Sequence, residues 1–144
     1  LPLPLYDGDL EDASGLPENA KKLVGLVTEH DGLIIASPEY NSMMTPLLKN
    51  ALDWCTRADK NPLTGKTAAV VSASPGMLGG IRSLTLVRQL LLHLGCHVVP
   101  VQCILPQADK AFDAAGQLIA ARAQESVRSV ASALLETTRK LRTL

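Results

Sequence analysis

Short apolar segments alternate with longer amphipathic ones along this chain, and that alternation restricts the fold more than any other feature. Three segments have the pattern of buried strands, at Leu33–Ser37, Thr67–Ser72 and His97–Cys103. They begin about 30 residues apart, and helical patterns separate them. Such an alternation of strands and helices is typical of parallel sheets whose strands are connected through helices. The sequence therefore predicts an α/β fold, a doubly wound parallel sheet with three layers, α/β/α.

Four helices are predicted around these strands, at about 17–30, 46–56, 81–94 and 116–141. Thr45 can cap the second helix, and Pro46 suits its first position. Pro100 lies inside the third strand, which we therefore place at a sheet edge, because proline cannot donate to a neighbouring strand. Residues 1–5 alternate leucine and proline, a pattern that indicates a connector.

Composition limits the classes of function. Hydrophobic residues make up 47% of the chain and charged residues 19%, which favours a folded core over disorder. The formal net charge of zero provides no electrostatic basis for binding nucleic acid or an anionic membrane. No apolar run approaches the roughly 18 residues of a membrane span. Three cysteines without C-x-x-C spacing predict buried, reduced thiols and a cytoplasmic protein, with a redox-active thiol as the alternative.

Two loops follow the first two predicted strands, at Pro38–Asn41 and Ser74–Gly80. The carboxyl ends of neighbouring parallel strands meet at one rim of a sheet, where open α/β folds bind ligands. Proline stiffens the first loop, and Gly76, Gly79 and Gly80 allow the second to approach a flat ligand closely. We therefore expect both loops to share one rim and to face one ligand.

Purely structural interpretations of these loops stay open. Proline and asparagine occur in turns for their backbone angles alone. Tyr40 fits an ordinary rim aromatic, and Glu39 fits a solvated charge whose backbone matters more than its carboxylate. The glycine-rich segment fits a tight strand-to-helix turn without a ligand.

The tetrapeptide Pro38–Asn41, with the helical segment Thr45–Trp54 behind it, resembles the NADPH-dependent FMN reductase family, which includes quinone, chromate and azo-dye reductases. The resemblance implies a flavodoxin-like fold, FMN as cofactor and NADPH or NADH as electron donor. Electrons would pass to a quinone, a free flavin, an azo compound or chromate, without a catalytic side chain or a metal. The cofactor contacts implied by the match are Pro38, Glu39, Tyr40, Asn41, Ser74, Gly76, Gly79 and Gly80.

The resemblance also implies something about the beginning of the chain. Nothing here matches the family's first strand, its phosphate-binding loop, its first helix or its second strand. We therefore expect residues 1–144 to form a single flavodoxin-like domain that is amino-terminally incomplete, lacking one βαβ unit and the FMN phosphate site. The strand at 33–37 would then present an open apolar edge, and the segment expressed alone would be insoluble or flavin-free.

The predicted helix at 81–94 is apolar on more than one side. Leu84, Val87 and Leu91 suit packing on the sheet, whereas Leu86, Leu90 and Leu92 form a surplus. A partner subunit would cover that surplus, and the resemblance likewise implies a homodimer or a homotetramer. The alternative is a helix sandwiched within its own domain.

Two other functions remain to be distinguished. A flavodoxin-like electron carrier or redox-sensing module would bind flavin without turning over NAD(P)H. The neutral chain, with its one tryptophan inside a helix, argues against it, because such carriers are strongly acidic and clamp FMN between aromatic rings. A non-catalytic interaction domain that uses the helix at 81–94 is the third interpretation.

Overall fold

The computed structural model describes residues 1–143 and shows helices packed on both faces of a parallel sheet. The elements, in chain order, are α1 (Gly8–Ser14), α2 (Glu18–Glu29), β1 (Gly32–Ala36), α3 (Pro46–Cys55), β2 (Thr67–Ala73), α4 (Ile81–His93), β3 (His97–Leu105), a 3-10 turn (Ala108–Lys110) and α5 (Ala121–Arg142). Along the described residues, no helix has both the length and the apolar character needed to cross a membrane.

The sheet has the order β1-β2-β3, and both strand pairs are parallel. The predicted edge position of β3 is confirmed. The pairing of β3 with β2 shifts register between Ala68 and Val70, opposite the part of β3 that contains Pro100. Proline leaves a gap in the ladder, and irregular pairing accommodates it. β1 forms the other edge, where Ile34 is 55% exposed. The additional strand expected beside β1 stays a prediction.

Two hydrophobic clusters cover the two faces of the sheet. One joins α2, α3 and α4 to β2 through Val27, Leu52, Leu84, Val87 and Leu91. The other joins α5 to β2 and β3 through Ala69, Val99, Cys103, Val130 and Leu134. This arrangement is the predicted three-layer α/β/α architecture. It places the strand-to-helix loops of β1 and β2 together at one end of the sheet.

The last helix begins later than predicted, at Ala121 instead of Gly116. The segment before it forms an ordered loop around Asp113, whose side chain accepts from the N–H groups of Ala115 and Gln117. A bridge between Phe112 and Leu118 closes the loop. Aspartate competes with a helix by binding nearby backbone groups in this way, and the competition delays the start of α5.

The amino-terminal connector is attached to α3. The carbonyl of Pro4 accepts from Asn50 Nδ2 and Trp54 Nε1, each at 2.8 Å. The side-chain oxygen of Asn50 accepts from the N–H of Tyr6 at 2.8 Å. The Tyr6 ring meets the buried Trp54 edge-on, with 5.1 Å between ring centroids. α1, which the sequence analysis missed, follows this anchor; Asp7 caps it, and it buries no residue.

We expect Asn50→Ala to lower the free energy of unfolding by about 1–3 kcal/mol, because it leaves a partly buried N–H without its acceptor. Asn19→Ala is the matched control, since its amide also donates to a proline carbonyl, that of Pro2, but at an exposed site. The control should change stability by less than about 0.5 kcal/mol. Urea unfolding of both variants measures the difference, and equal losses would show that the anchor is not specific.

Candidate functional site

The loop after β1 turns back on itself within four residues. The N–H of Tyr40 donates to the carbonyl of Met43, and the N–H of Met43 donates to the carbonyl of Tyr40, both at 3.0 Å. The two central residues, Asn41 and Ser42, have φ angles of +51° and +67°. Consecutive positive φ angles suit type I′ turns, in which asparagine is common and serine is not. Unfavourable backbone of this kind concentrates at functional sites.

The loop after β2 is shaped by its glycines. Gly79 and Gly80 have φ angles of +59° and +88°. A Cβ on Gly79 would lie 2.9 Å from the nitrogen of Pro106, and a Cβ on Gly80 would lie 1.9 Å from Ser72 Oγ. These two glycines are therefore required by the protein's own packing. At Gly76 a Cβ would meet only Ser74 Oγ, at 3.6 Å, so this glycine has room beside it.

Glu39 connects the two loops, which confirms that they share one rim. Its Oε2 accepts from the N–H groups of Arg82 and Ser83 at 3.1 and 3.2 Å, in the first turn of α4. Its Oε1 accepts from Arg82 Nε at 2.8 Å and from Arg82 Nη2. Gly80, at the N-cap of α4, has no side chain to bind these groups. A carboxylate from another loop thus serves as the cap.

The interpretation of Glu39 as a solvated charge is wrong, because its side chain is only 7% exposed. Hydrogen bonds from the Arg82 side chain hold the pKa of Glu39 below its ordinary value, helped by the Arg82 charge and the backbone N–H of Ser83. Its carboxylate is therefore ionised at neutral pH. The group acts as a structural anion, and its tie to α4 fixes where the backbone of the first loop lies.

Beside the first loop lies a cleft of about 390 Å³, lined by Pro38, Tyr40 and the apolar start of α3. Tyr40 is 59% exposed. Among the described residues, none accepts a hydrogen bond from the N–H groups of Asn41 and Ser42. The rim thus has an apolar cleft and, in the neighbouring turn, two backbone N–H groups without an acceptor within residues 1–143, and a flat heteroaromatic ring with acceptor atoms suits such a combination.

Ser74 is largely occupied by its own turn. Its Oγ accepts from the N–H of Gly76 at 3.2 Å, and its N–H donates to the carbonyl of Leu105 at 3.0 Å. The carbonyl of Ser74 accepts from the N–H of Ala108 at 3.0 Å. The hydroxyl of Ser74 accepts the bond from Gly76 but donates none among residues 1–143. The two backbone bonds join the turn to the segment after β3, while α4, which directly follows the turn, is joined to the first loop through Glu39.

Arg82 is the site residue that sequence reasoning missed. Its guanidinium is the main partner of Glu39, yet 43 residues separate the two along the chain. One signal was present in the sequence: α4 follows two glycines, so its first turn needs an acceptor from elsewhere.

We expect Glu39→Gln to destabilise the protein at neutral pH and to matter less as the pH falls. The pKa of Glu39 is below its ordinary value of 4.5 in the folded state. The ion pair therefore adds stability above that value and loses it as acid protonates the carboxylate. Denaturant unfolding of both proteins between about pH 3 and pH 7 should show converging stabilities at the acid end.

Glu125→Gln provides the control for that experiment. Its carboxylate lies 3.7 Å from Arg128 in an exposed pair on α5. Exposed pairs contribute little, so this variant should follow the unmodified protein across the whole range. A Glu39→Gln variant that also followed it would contradict the capping role.

Comparison with known proteins identifies the family of the chain. The family model for NADPH-dependent FMN reductases matches residues 1–110. An NAD(P)H-dependent FMN reductase of Pseudomonas aeruginosa is 36% identical over 141 residues, which cover 97% of this chain and 76% of that protein. A quinone reductase of Escherichia coli is 37% identical over 97 residues. That match covers 67% of this chain and 52% of the Escherichia coli enzyme, so the matched segment spans about half of that enzyme's length.

Among solved structures, FerB, a flavoenzyme NAD(P)H:(acceptor) oxidoreductase from Paracoccus denitrificans, superposes with a TM-score of 0.84 at 28% identity. The alignment covers 96% of this chain and 76% of FerB. The predicted flavodoxin-like fold is confirmed by this likeness and by the parallel sheet. The resemblance first suggested by Pro38–Asn41 and the helix behind it is confirmed as well, and the chain belongs to the NADPH-dependent FMN reductase family.

Proposed function

We propose that this protein is an FMN-dependent oxidoreductase that passes electrons from NAD(P)H to a quinone, a free flavin, an azo compound or chromate. The observation that carries the proposal is the pair of rim loops that Glu39 and Arg82 join beside an apolar cleft. The names of the relatives, FMN reductase and quinone reductase, support the same chemistry.

The residues of the rim suit the ring of FMN. Pro38 and Tyr40 offer apolar surface, while the free N–H groups of Asn41 and Ser42 offer donors to ring oxygens and nitrogens. From the other loop, Ser74 offers its hydroxyl proton and Gly76 offers close backbone. FMN held there would supply the redox chemistry, taking up hydride from NAD(P)H and passing electrons to the acceptor.

The chain's own contribution is rigid placement of these groups. Glu39 holds the first loop against α4, and the close packing of Gly79 and Gly80 holds the second loop against Pro106 and Ser72. We assign both glycines to the cofactor site through their backbone, which shapes the turn. Preorganised donors favour the negative charge that develops on a reduced ring, without an acid–base side chain.

We further propose a homodimer or a homotetramer. The apolar surplus of α4 is smaller than predicted. Leu90 packs against the core, and of Leu86, Leu90 and Leu92 the one exposed is Leu92, at 57%. Other exposed apolar side chains lie nearer the rim, namely Tyr40, Met43, Leu47, Met77 and Leu78. An apolar surface near a ligand site suits a partner subunit. Light scattering of the protein tests this, and a strict monomer would contradict it.

A cytoplasmic location completes the proposal. Cys55, Cys96 and Cys103 are free and buried. Burial raises the pKa of Cys55 and of Cys96 to about 11, so neither forms a thiolate at neutral pH. Unreactive thiols without disulfides suit a reducing compartment.

The function is tested by mixing the purified full-length protein, instead of residues 1–144 expressed alone, with FMN and adding NADPH without oxygen. We expect the flavin absorbance to bleach rapidly and to return when a quinone is added. Bound flavin that NADPH does not bleach would favour the electron-carrier alternative. Failure to bind flavin would favour a non-catalytic interaction domain.

Substitutions of two glycines separate ligand contact from folding. Gly76→Val should weaken FMN binding by roughly tenfold while leaving the unfolding midpoint nearly unchanged, because only Ser74 Oγ lies near the new side chain. Gly79→Val should instead destabilise the fold, since its φ angle is positive and the backbone at Pro106 blocks a Cβ. Fluorescence titration with FMN and thermal unfolding measure the two effects. Unchanged flavin affinity in Gly76→Val would show that this turn is structural only.

A further inference from the structure

A second cavity opens at the same end of the sheet, between the carboxyl end of β3 and the start of α5. Its volume is about 560 Å³, larger than the cleft beside Tyr40. Cavities of about 300–1,000 Å³ are typical of sites for small organic ligands. The cavity contributes nothing to the flavin contacts proposed above, so it needs an explanation of its own.

The lining of the cavity is divided by chemistry. Ile104, Pro106 and Ala123 provide apolar walls, and Lys110 and Arg122 provide two positive charges. No acidic residue belongs to the lining, and neither cation belongs to an ion pair formed within residues 1–143. Apolar walls beside unpaired cations suit a ligand that joins a flat ring to phosphate, because arginine and lysine are the usual phosphate partners.

The walls that carry the cations are held in place. Lys110 ends the 3-10 turn, whose Ala108 N–H donates to the carbonyl of Ser74. Arg122 lies in the first turn of α5, behind the loop that Asp113 organises. The N–H of Ile119 donates to the carbonyl of Ala111 at 3.0 Å and ties the two walls together. Hydrogen bonds thus fix the backbone segments that carry the Lys110 and Arg122 charges.

The cavity adjoins the proposed flavin site through one shared turn. The N–H of Gln107, a lining residue, donates to the carbonyl of Gly76 at 3.4 Å. The turn Ser74–Gly80 therefore has the flavin loop on one side and the cavity on the other. A dinucleotide whose reactive ring lies at the flavin has its second nucleotide some distance away, joined through a pyrophosphate. The cavity lies on the correct rim to receive that second nucleotide.

We propose that this cavity binds the phosphorylated adenosine end of the electron donor and selects NADPH over NADH. The purine would lie on the apolar walls, and Lys110 and Arg122 would bind the 2′-phosphate. This inference rests on the proposed function, because it takes NAD(P)H to be the donor. It adds that the donor is recognised by its 2′-phosphate and that Lys110 and Arg122 bind this group.

The test measures binding of 2′,5′-ADP and 5′-ADP by calorimetry to the FMN-loaded protein. We expect 2′,5′-ADP to bind more tightly, and Arg122→Gln and Lys110→Gln each to weaken it by roughly ten- to a hundredfold. Arg128→Gln is the matched control, because it removes the same charge from α5 at a position paired with Glu125 outside the cavity. The control should bind like the unmodified protein.

Kinetics provide a second readout. The ratio of kcat/KM for NADPH to that for NADH should fall about tenfold or more in Arg122→Gln, while FMN affinity stays unchanged. Equal binding of the two nucleotides, binding of inorganic phosphate as tight as that of 2′,5′-ADP, or cavity variants that behave like Arg128→Gln would each overturn the inference. Absence of flavin bleaching by NADPH would refute the proposed function instead, while calorimetry would still decide whether the cavity recognises the 2′-phosphate.

Discussion

The contact on which the site depends is the reach of Glu39 across to the first turn of α4. Glycines at 79 and 80 allow the chain to turn from β2 into α4, but they leave the helix without a capping side chain. Glu39 supplies the missing acceptor and pairs with Arg82 as well. One carboxylate thus closes a helix end and fixes the spacing of two loops. This contact holds the backbone of the first loop in place, as the proposed binding of a ligand there would require.

The same contact explains the strain found beside it. Asn41 and Ser42 both have positive φ angles, which cost free energy for residues other than glycine. The turn persists because its two ends are fixed: Glu39 is bound to α4 on one side, and α3 begins at Thr45 and Pro46 on the other. The fixed ends thus support a strained turn in which the N–H groups of Asn41 and Ser42 have no acceptor among residues 1–143.

Local chemistry made much of this fold predictable from the sequence. Pro100 marked β3 as an edge strand because its missing donor is a property of a single residue, and the structure confirms that position. Thr45 and Pro46 marked the start of α3 for similar reasons, and Thr45 Oγ1 accepts from the N–H of Leu48 as a cap does. Interactions between residues far apart in the sequence could not be predicted. The partnership of Glu39 with Arg82, and the loop that Asp113 forms in place of a helix, depend on competing contacts that periodicity does not encode.

The glycines of the turn at 74–80 have different roles, so the presence of glycine there does not by itself indicate contact with a ligand. Gly79 and Gly80 are needed because Pro106 and Ser72 leave no space for a Cβ, whereas Gly76 has space. Dense packing around Gly79 and Gly80 makes the turn rigid, so the turn can support the segments on both of its sides. The loop at 38–41 is joined through Glu39 to α4, which directly follows the turn, and the cavity of Lys110 and Arg122 adjoins the turn through Gln107. A donor nucleotide held in that cavity would therefore be positioned by the same backbone to which we assign the flavin contacts, and a shift of the turn would move both together.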